Sequence, residues 1–231
     1  MSRRLLAAAI LLATALVPVR STGADAPPRD HVIGVDDYFT LGTIVGLAVS
    51  PAGTHVAYVE QRWEPDAEKR NADLWVVDTT TKARRRLSFD RADETAPQWS
   101  PDGRFVYFTT GARRPGDDSP PYDGKAQVWR VAADGTGLEA VTRVREGVGA
   151  AELSADGRAL YYTVVVEGTE EAWRELRMKH KDLDYGHGET RFTQVWRLDL
   201  ESWRSEKLVD EARVIHGMRV APDGSRIAMV T

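Results

Sequence analysis

Four copies of one five-residue turn limit what this 231-residue chain can fold into. They are Val49-Ser50-Pro51-Ala52-Gly53, Trp99-Ser100-Pro101-Asp102-Gly103, Leu153-Ser154-Ala155-Asp156-Gly157 and Val220-Ala221-Pro222-Asp223-Gly224, and they align without gaps. Each precedes an apolar, β-rich run: Val56-Ala57-Tyr58-Val59, Phe105-Val106-Tyr107-Phe108, Leu160-Tyr161-Tyr162-Thr163 and Ile227-Ala228-Met229-Val230. The residue types are those of a tight hairpin. A leading Ser bonds back to the backbone, Pro presets φ at the second position, and Gly accepts the positive φ that closes the turn. A single copy would specify only a turn. Four copies in the same strand context predict a repeated strand–turn–strand architecture.

Two further elements recur in step with the turn. Asp73-Leu74-Trp75-Val76-Val77-Asp78, Gln127-Val128-Trp129-Arg130-Val131-Ala132 and Gln194-Val195-Trp196-Arg197-Leu198-Asp199 read as a third strand, with apolar groups on both faces at a period of two. Apolar groups on both faces fit sheets stacked on both sides. The recurrence of Trp75, Trp129 and Trp196 at one position favours repeated packing over a ligand-stacking platform. Short segments near Arg86-Leu87-Ser88, Ala140-Val141-Thr142 and Lys207-Leu208-Val209 close each copy. Glycines 53, 103, 157 and 224 lie 50, 54 and 67 residues apart, and four-stranded units of roughly 40 to 50 residues are propeller blades. The expected fold is all-β: an incomplete β-propeller of four-stranded antiparallel blades. A lead-in covers residues 25–44, blades cover 45–88, 97–143 and 149–210, and a fourth begins at 214, about three and a half blades in all. The surplus length of blade three, between Val164 and Thr193, is expected to form a long charged loop with a helical turn around Glu170 to Met178.

The first 24 residues read differently. Arg3 and Arg4 precede an apolar run over residues 5–17 and then small residues ending at Thr22-Gly23-Ala24, the order of a secretory signal peptide with cleavage after Ala24. The run is too short to span a bilayer, and no later stretch approaches the roughly 20 apolar residues a span needs. The expectation is a periplasmic or secreted protein without a stable membrane anchor. A net charge of −4 and a pI near 5.8 leave no basic footprint for nucleic acid. The one basic run, Arg84-Arg85-Arg86, is followed by Asp90, Asp93 and Glu94 and reads as a solvated strand end. The absence of cysteine removes disulfides, thiol catalysis and thiolate metal sites together.

Several segments carry a family resemblance. Lys181-Asp182-Leu183-Asp184-Tyr185-Gly186-His187-Gly188-Glu189, leading into Phe192-Thr193-Gln194-Val195-Trp196-Arg197-Leu198, resembles the propeller of prolyl oligopeptidase family serine peptidases, especially the acylaminoacyl-peptidase and dipeptidyl-peptidase branches. Val35-Asp36-Asp37-Tyr38-Phe39 and Asn71-Ala72-Asp73-Leu74-Trp75 are similar to the same proteins, and the Ser-Pro-Asp-Gly hairpin is shared with TolB-like propellers. The resemblance implies a propeller stacked on an α/β-hydrolase domain, where it restricts entry and helps hold short peptides. The catalytic half has no counterpart here. A nucleophile elbow needs Gly-x-Ser-x-Gly, and no serine has glycine at both flanking positions.

The sequence therefore assigns no catalytic, cofactor-binding or metal-ligating residue and implies no cofactor. His180, Asp182, Asp184, His187 and Glu189 hold metal-type donors but match no metal-loop spacing, and a polar surface loop is the expectation. Glu170 and Glu171 resemble the paired glutamates of dipeptidyl-peptidase propellers, but their neighbours do not, and a solvated acidic pair is expected. Three readings follow. The favoured one is the gating and docking part of an exported serine peptidase, inactive alone, that meets peptide substrates through a downstream hydrolase domain and self-associates if its ring is left open. The second is a TolB-like module that binds a protein partner. The third is a propeller enzyme with its site in the channel, as in quinone-dependent dehydrogenases, for which no cofactor signature is present.

Overall fold

Each turn motif closes a hairpin in the computed structural model, which describes residues 32–88, 91–169, 175–176, 178–181, 189–211 and 213–231. The Ser50, Ser100 and Ser154 hydroxyls accept the amides of His55, Phe105 and Ala159 at 3.0, 3.0 and 2.9 Å. The four turn glycines take φ of 69° to 70°, the left-handed region that only glycine enters without cost. Asp102 and Asp156 complete the turn by accepting both the Ser hydroxyl and the amide two residues on.

After a short helix, α1 (Val35–Thr40), the chain is built from hairpin-connected strands. β1 (Thr43–Val49), β2 (His55–Glu64), β3 (Lys69–Asp78) and β4 (Arg84–Arg86) form one sheet. A second contains β5 (Glu94–Trp99), β6 (Phe105–Thr110), β7 (Gln127–Ala132) and β8 (Glu139–Ala140). β9 (Ala151–Leu153), β10 (Ala159–Thr169), β11 (Glu189–Asp199) and β12 (Ser205–Val209) form a third, and β13 (Gly217–Val220) pairs with β14 (Ile227–Val230). Every pairing is antiparallel and between sequence neighbours. These are three blades and half of a fourth, as the repeat predicts.

Alternation of apolar residues on both strand faces produces three interblade cores. Val59, Leu74 and Val76 of the first blade pack on Val106, Phe108, Trp129 and Val131 of the second. The opposite face of the second blade, with Tyr107 and Val128, meets Leu160, Tyr162 and Leu198 of the third. Tyr161 and Val195 continue the series against Ile215 and Met218 of the half-blade. Polar clamps fix the register between blades. Trp99 Nε1 donates to the Ala48 carbonyl at 2.9 Å. Gln98 spans to the third blade, donating to Ala151 O at 2.8 Å and accepting from Leu153 N at 3.0 Å. Glu152, at the same repeat position as Gln98, accepts from Val220 N at 3.2 Å.

Two sequence expectations need correction. The stretch between Val164 and Thr193 is not loop from its ends: β10 and β11 stay in register out to Thr169 and Glu189. Val165 and Val166 sustain pairing beyond the blade body, so the hairpin arm is a strand extension. Near its tip the His180 amide bonds Leu176 O at 2.9 Å, one helical turn. The second is Arg86. Arg84 and Arg85 are exposed as expected, but Arg86 is half-buried and ion-paired to Asp73.

Candidate functional site

At the end of the first two blades opposite the turn motifs, polar side chains turn inward. Asn71 and Asp73 stand on β3, Arg86 on β4, Ser88 just beyond it, and Glu94 begins β5. Asn71, Asp73, Ser88 and Glu94 are all buried. Asn71 Nδ2 donates to Asp73 Oδ1 at 2.9 Å, and the Arg86 guanidinium pairs with the same oxygen. Ser88 Oγ donates to Glu94 Oε2 at 2.5 Å. The Leu74 amide is shared between Ser88 Oγ at 3.0 Å and Glu94 Oε2 at 3.2 Å.

The repeat shows why this cluster is peculiar. The positions equivalent to Glu94, counted back from each turn, are Ile44, Val148 and Ile215. Val148 and Ile215 are buried apolar side chains, so Glu94 replaces a core aliphatic group by a carboxyl. Where the first blade has Asp73, the second and third carry neutral Gln127 and Gln194. Gln127 is satisfied on both ends, accepting from Thr142 Oγ1 and Val144 N and donating to Val144 O.

Electrostatics follow from burial. Loss of water pushes the Glu94 carboxyl up to about 8; the neighbouring Asp73 charge adds to this, and the Ser88 and Leu74 hydrogen bonds and Arg86 oppose it. Glu94 is therefore mostly protonated at neutral pH. Burial also raises Asp73, against the pull of Arg86 and Asn71. Oε2 is engaged with Ser88 and Leu74, whereas Oε1 bonds no protein group among the described residues.

Glu94 lines a cavity of 240 Å3 with Ser88, Phe108, Thr110, Trp129 and Tyr122, and Arg114 and Leu138 also contribute to its wall. Thr110 Oγ1 and Trp129 Nε1, on buried residues, also have no partner among the described residues. Three unpartnered polar atoms on residues that border one cavity are a concentration that ordinary cores avoid. A cavity of 520 Å3 between the second and third blades contrasts with it. There Thr142, Gln194, Trp196 and Tyr162 all have protein partners.

The recurring tryptophans divide. Trp129 is buried in the interblade core, as repeated packing requires, whereas Trp75 and Trp196 are half-buried. Trp129 also borders the small cavity, and its indole N–H has no partner among the described residues, neither of which periodicity alone reveals. Glu170, Glu171, Asp182, Asp184 and His187 lie outside the described residues. Among the described residues no cluster of three His, Cys, Asp or Glu side chains could hold a metal ion, and no helix is long and apolar enough to cross a membrane.

No protein-family model matches the chain. It is 26% identical over 185 residues, 78% of this chain, to dipeptidyl-peptidase 5 of Porphyromonas endodontalis. It is also 26% identical over 133 residues, 58% of this chain, to the uncharacterized peptidase YuxL of Bacillus subtilis. The matches span 24% and 19% of those two proteins. Among solved structures, TolB from Acinetobacter baumannii superposes with a TM-score of 0.53 and 19% identity, over 82% of this chain and 38% of that one. The acylaminoacyl peptidase of Pyrococcus horikoshii gives 0.52 and 16%, over 74% and 25%. The described residues form an incomplete β-propeller, the fold shared with TolB and the acylaminoacyl peptidase, and the resemblance carried by the repeats is matched by these peptidase and TolB similarities.

Proposed function

We propose that this chain is the propeller portion of an exported serine peptidase related to prolyl oligopeptidases, in which it gates and docks short peptides while hydrolysis belongs to an α/β-hydrolase domain. The sequence similarity to two bacterial peptidases carries this reading, since it covers most of the repeats here but under a quarter of either relative. The fold supports it without separating it from a TolB-like binding role, because TolB superposes equally well. Export rests on the signal-peptide pattern of residues 1–24, which lie outside the described residues.

The reading frame beyond Thr231 and the activity of its product test the proposal together. A Gly-x-Ser-x-Gly on a strand-to-helix turn, with turnover of chromogenic aminoacyl substrates that a serine-reactive inhibitor abolishes, is expected of the full gene product and not of residues 25–231 alone. A frame that ends after further blades, or turnover by residues 25–231 that resists the inhibitor, overturns it.

A further inference from the structure

The cavity between the second and third blades lies where the second blade's outer strand is short. β8 spans two residues against five in β12, and Tyr162, Trp196, Leu198 and Ser205 of the third blade border a space of 520 Å3 that residues 141–144 face from the second. Its neutral polar side chains already bond within the protein. Ser205 Oγ accepts from the Tyr162 hydroxyl at 3.3 Å, and Gln194 donates to Asp210 and accepts from Trp196. What the wall offers beyond them is aliphatic surface, three rings (Tyr162, Trp196 and Trp203), and the charges of Arg143 and Glu146.

Trp203 is the residue that the fold leaves unexplained. It stands in the β11–β12 turn at φ 57°, the left-handed region that is costly for a bulky side chain. The first blade builds the same turn with a lysine. Asp78 Oδ1 accepts from Thr80 N and Thr81 N, the Lys82 amide donates to Asp78 O at 3.0 Å, and Lys82 takes φ 62°. In the third blade Asp199 Oδ1 accepts from Glu201 N and Ser202 N, and the Trp203 amide donates to Asp199 O at 2.8 Å. The turn therefore needs no ring, and burial does not repay one, because Trp203 is 45% exposed. The ring nevertheless lines the cavity, with the Arg130 guanidinium 5.6 Å from its centroid. A strained, half-exposed aromatic at the edge of an apolar cavity points to a ligand.

We infer that this interblade pocket binds a small aromatic carboxylate of the size of phenylpropionate, its ring set among Trp203, Trp196 and Tyr162 and its carboxylate on Arg143. Arg130 and Lys207 already stand over Trp203 and Trp196, which disfavours a second cation on those rings and leaves stacking as their remaining use. Both of those cations are neutralised, by Glu139 and Asp210. Arg143 is not. It is exposed, makes no ion pair among the described residues, and engages only Nη1, which donates to Ala140 O at 3.4 Å. Its fork is free to take a carboxylate. Glu146 also lines the wall without an ion pair among the described residues and opposes an anion there. This inference does not rest on the peptidase reading.

Phenylpropionate is the probe, titrated calorimetrically into the full gene product near neutral pH, with phenylpropylamine and hexanoate as counterparts. The expected result is saturable binding of phenylpropionate, tighter than that of either counterpart. Arg143→Gln should weaken it about tenfold, and Glu146→Gln should tighten it about twofold. Trp203→Gly should weaken it about tenfold while the thermal midpoint without ligand holds or rises, because glycine takes the left-handed φ without cost. Arg143 is exposed, so its variant decides the matter even if the Trp203 variant folds poorly. Absence of saturable binding up to tens of millimolar, amine binding as tight as that of the acid, or binding that Arg143→Gln leaves unchanged overturns the assignment. A Trp203→Gly protein that loses thermal stability and keeps full affinity overturns it too, since the ring would then serve packing alone.

Discussion

A carboxyl whose folded value is raised holds its proton in the fold over a pH range where the unfolded chain has already released it. For Glu94 that range runs from about 4.5, the ordinary glutamate value, to about 8. Stability is undiminished by Glu94 below the lower limit, falls as pH rises through the window, and stays reduced above it. At about 1.4 kcal/mol per pH unit, the full loss is about 5 kcal/mol, of which about 3 kcal/mol falls between pH 6 and 9. That is a large share of the 5–15 kcal/mol typical of a folded domain. Glu94→Gln keeps the shape and an oxygen to accept from Ser88 and Leu74, and it cannot ionise. Urea denaturation followed by tryptophan fluorescence at pH 6, 7, 8 and 9 gives both proteins' stabilities on one scale. The variant should gain on the parent by about 3 kcal/mol from pH 6 to 9, or on the order of 10 °C in thermal midpoint. Parallel pH curves for the two proteins would refute the placement of Glu94 as a buried, mostly protonated acid.

Three further predictions rest on particular contacts. At Gly157 a Cβ would sit 2.8 Å from Pro101 Cδ in the neighbouring blade and at φ +70°, whereas at Gly53, with the same φ, it meets nothing within 4 Å. Gly53→Ala should therefore cost about 1–2 kcal/mol of left-handed strain, Gly157→Ala distinctly more, and equal urea midpoints would contradict the interblade contact. Gln98→Ala leaves Ala151 O and Leu153 N without the side chain that bonds both, and should lower stability by about 2–4 kcal/mol; a change under about 0.5 kcal/mol would mean that water replaces the clamp. Residues 25–231 expressed alone should be oligomeric or poorly soluble by size exclusion with light scattering, because Leu47 (64% exposed) and Val49 (57%) lie on the first blade's unstacked face; a well-behaved monomer with a sharp thermal transition would disprove it.

How much of this was legible in the residues varies with the physics behind each feature. Blade number and strand order follow from short-range chemistry: a turn that needs Ser, Pro and Gly at fixed offsets, then alternating apolar residues. Both signals are local, and four copies reinforce each other, so the hairpins over Gly53, Gly103, Gly157 and Gly224 stand where the sequence places them. The long β10–β11 arm was hidden because Val164, Val165 and Val166 precede charged residues that read as loop. Cross-strand pairing with residues 189–194 holds them extended, and no local pattern reports a partner more than 20 residues away.

The small cavity was missed for a different reason. Glu94 lies within a run of charges, Asp90, Arg91 and Asp93, so by composition it belongs to a solvated connection. Only alignment on the turns sets it against Val148 and Ile215, and only that comparison shows a charge-bearing residue in a core column. The same alignment sets Asp73 against Gln127 and Gln194. Repeats make such departures visible, because each copy states what packing alone requires at a given position. Val148 and Ile215 show that packing alone is satisfied by an aliphatic side chain, so the desolvation that Glu94 bears is offset by its hydrogen bonds to Ser88 and Leu74 of the first blade rather than by packing in its own.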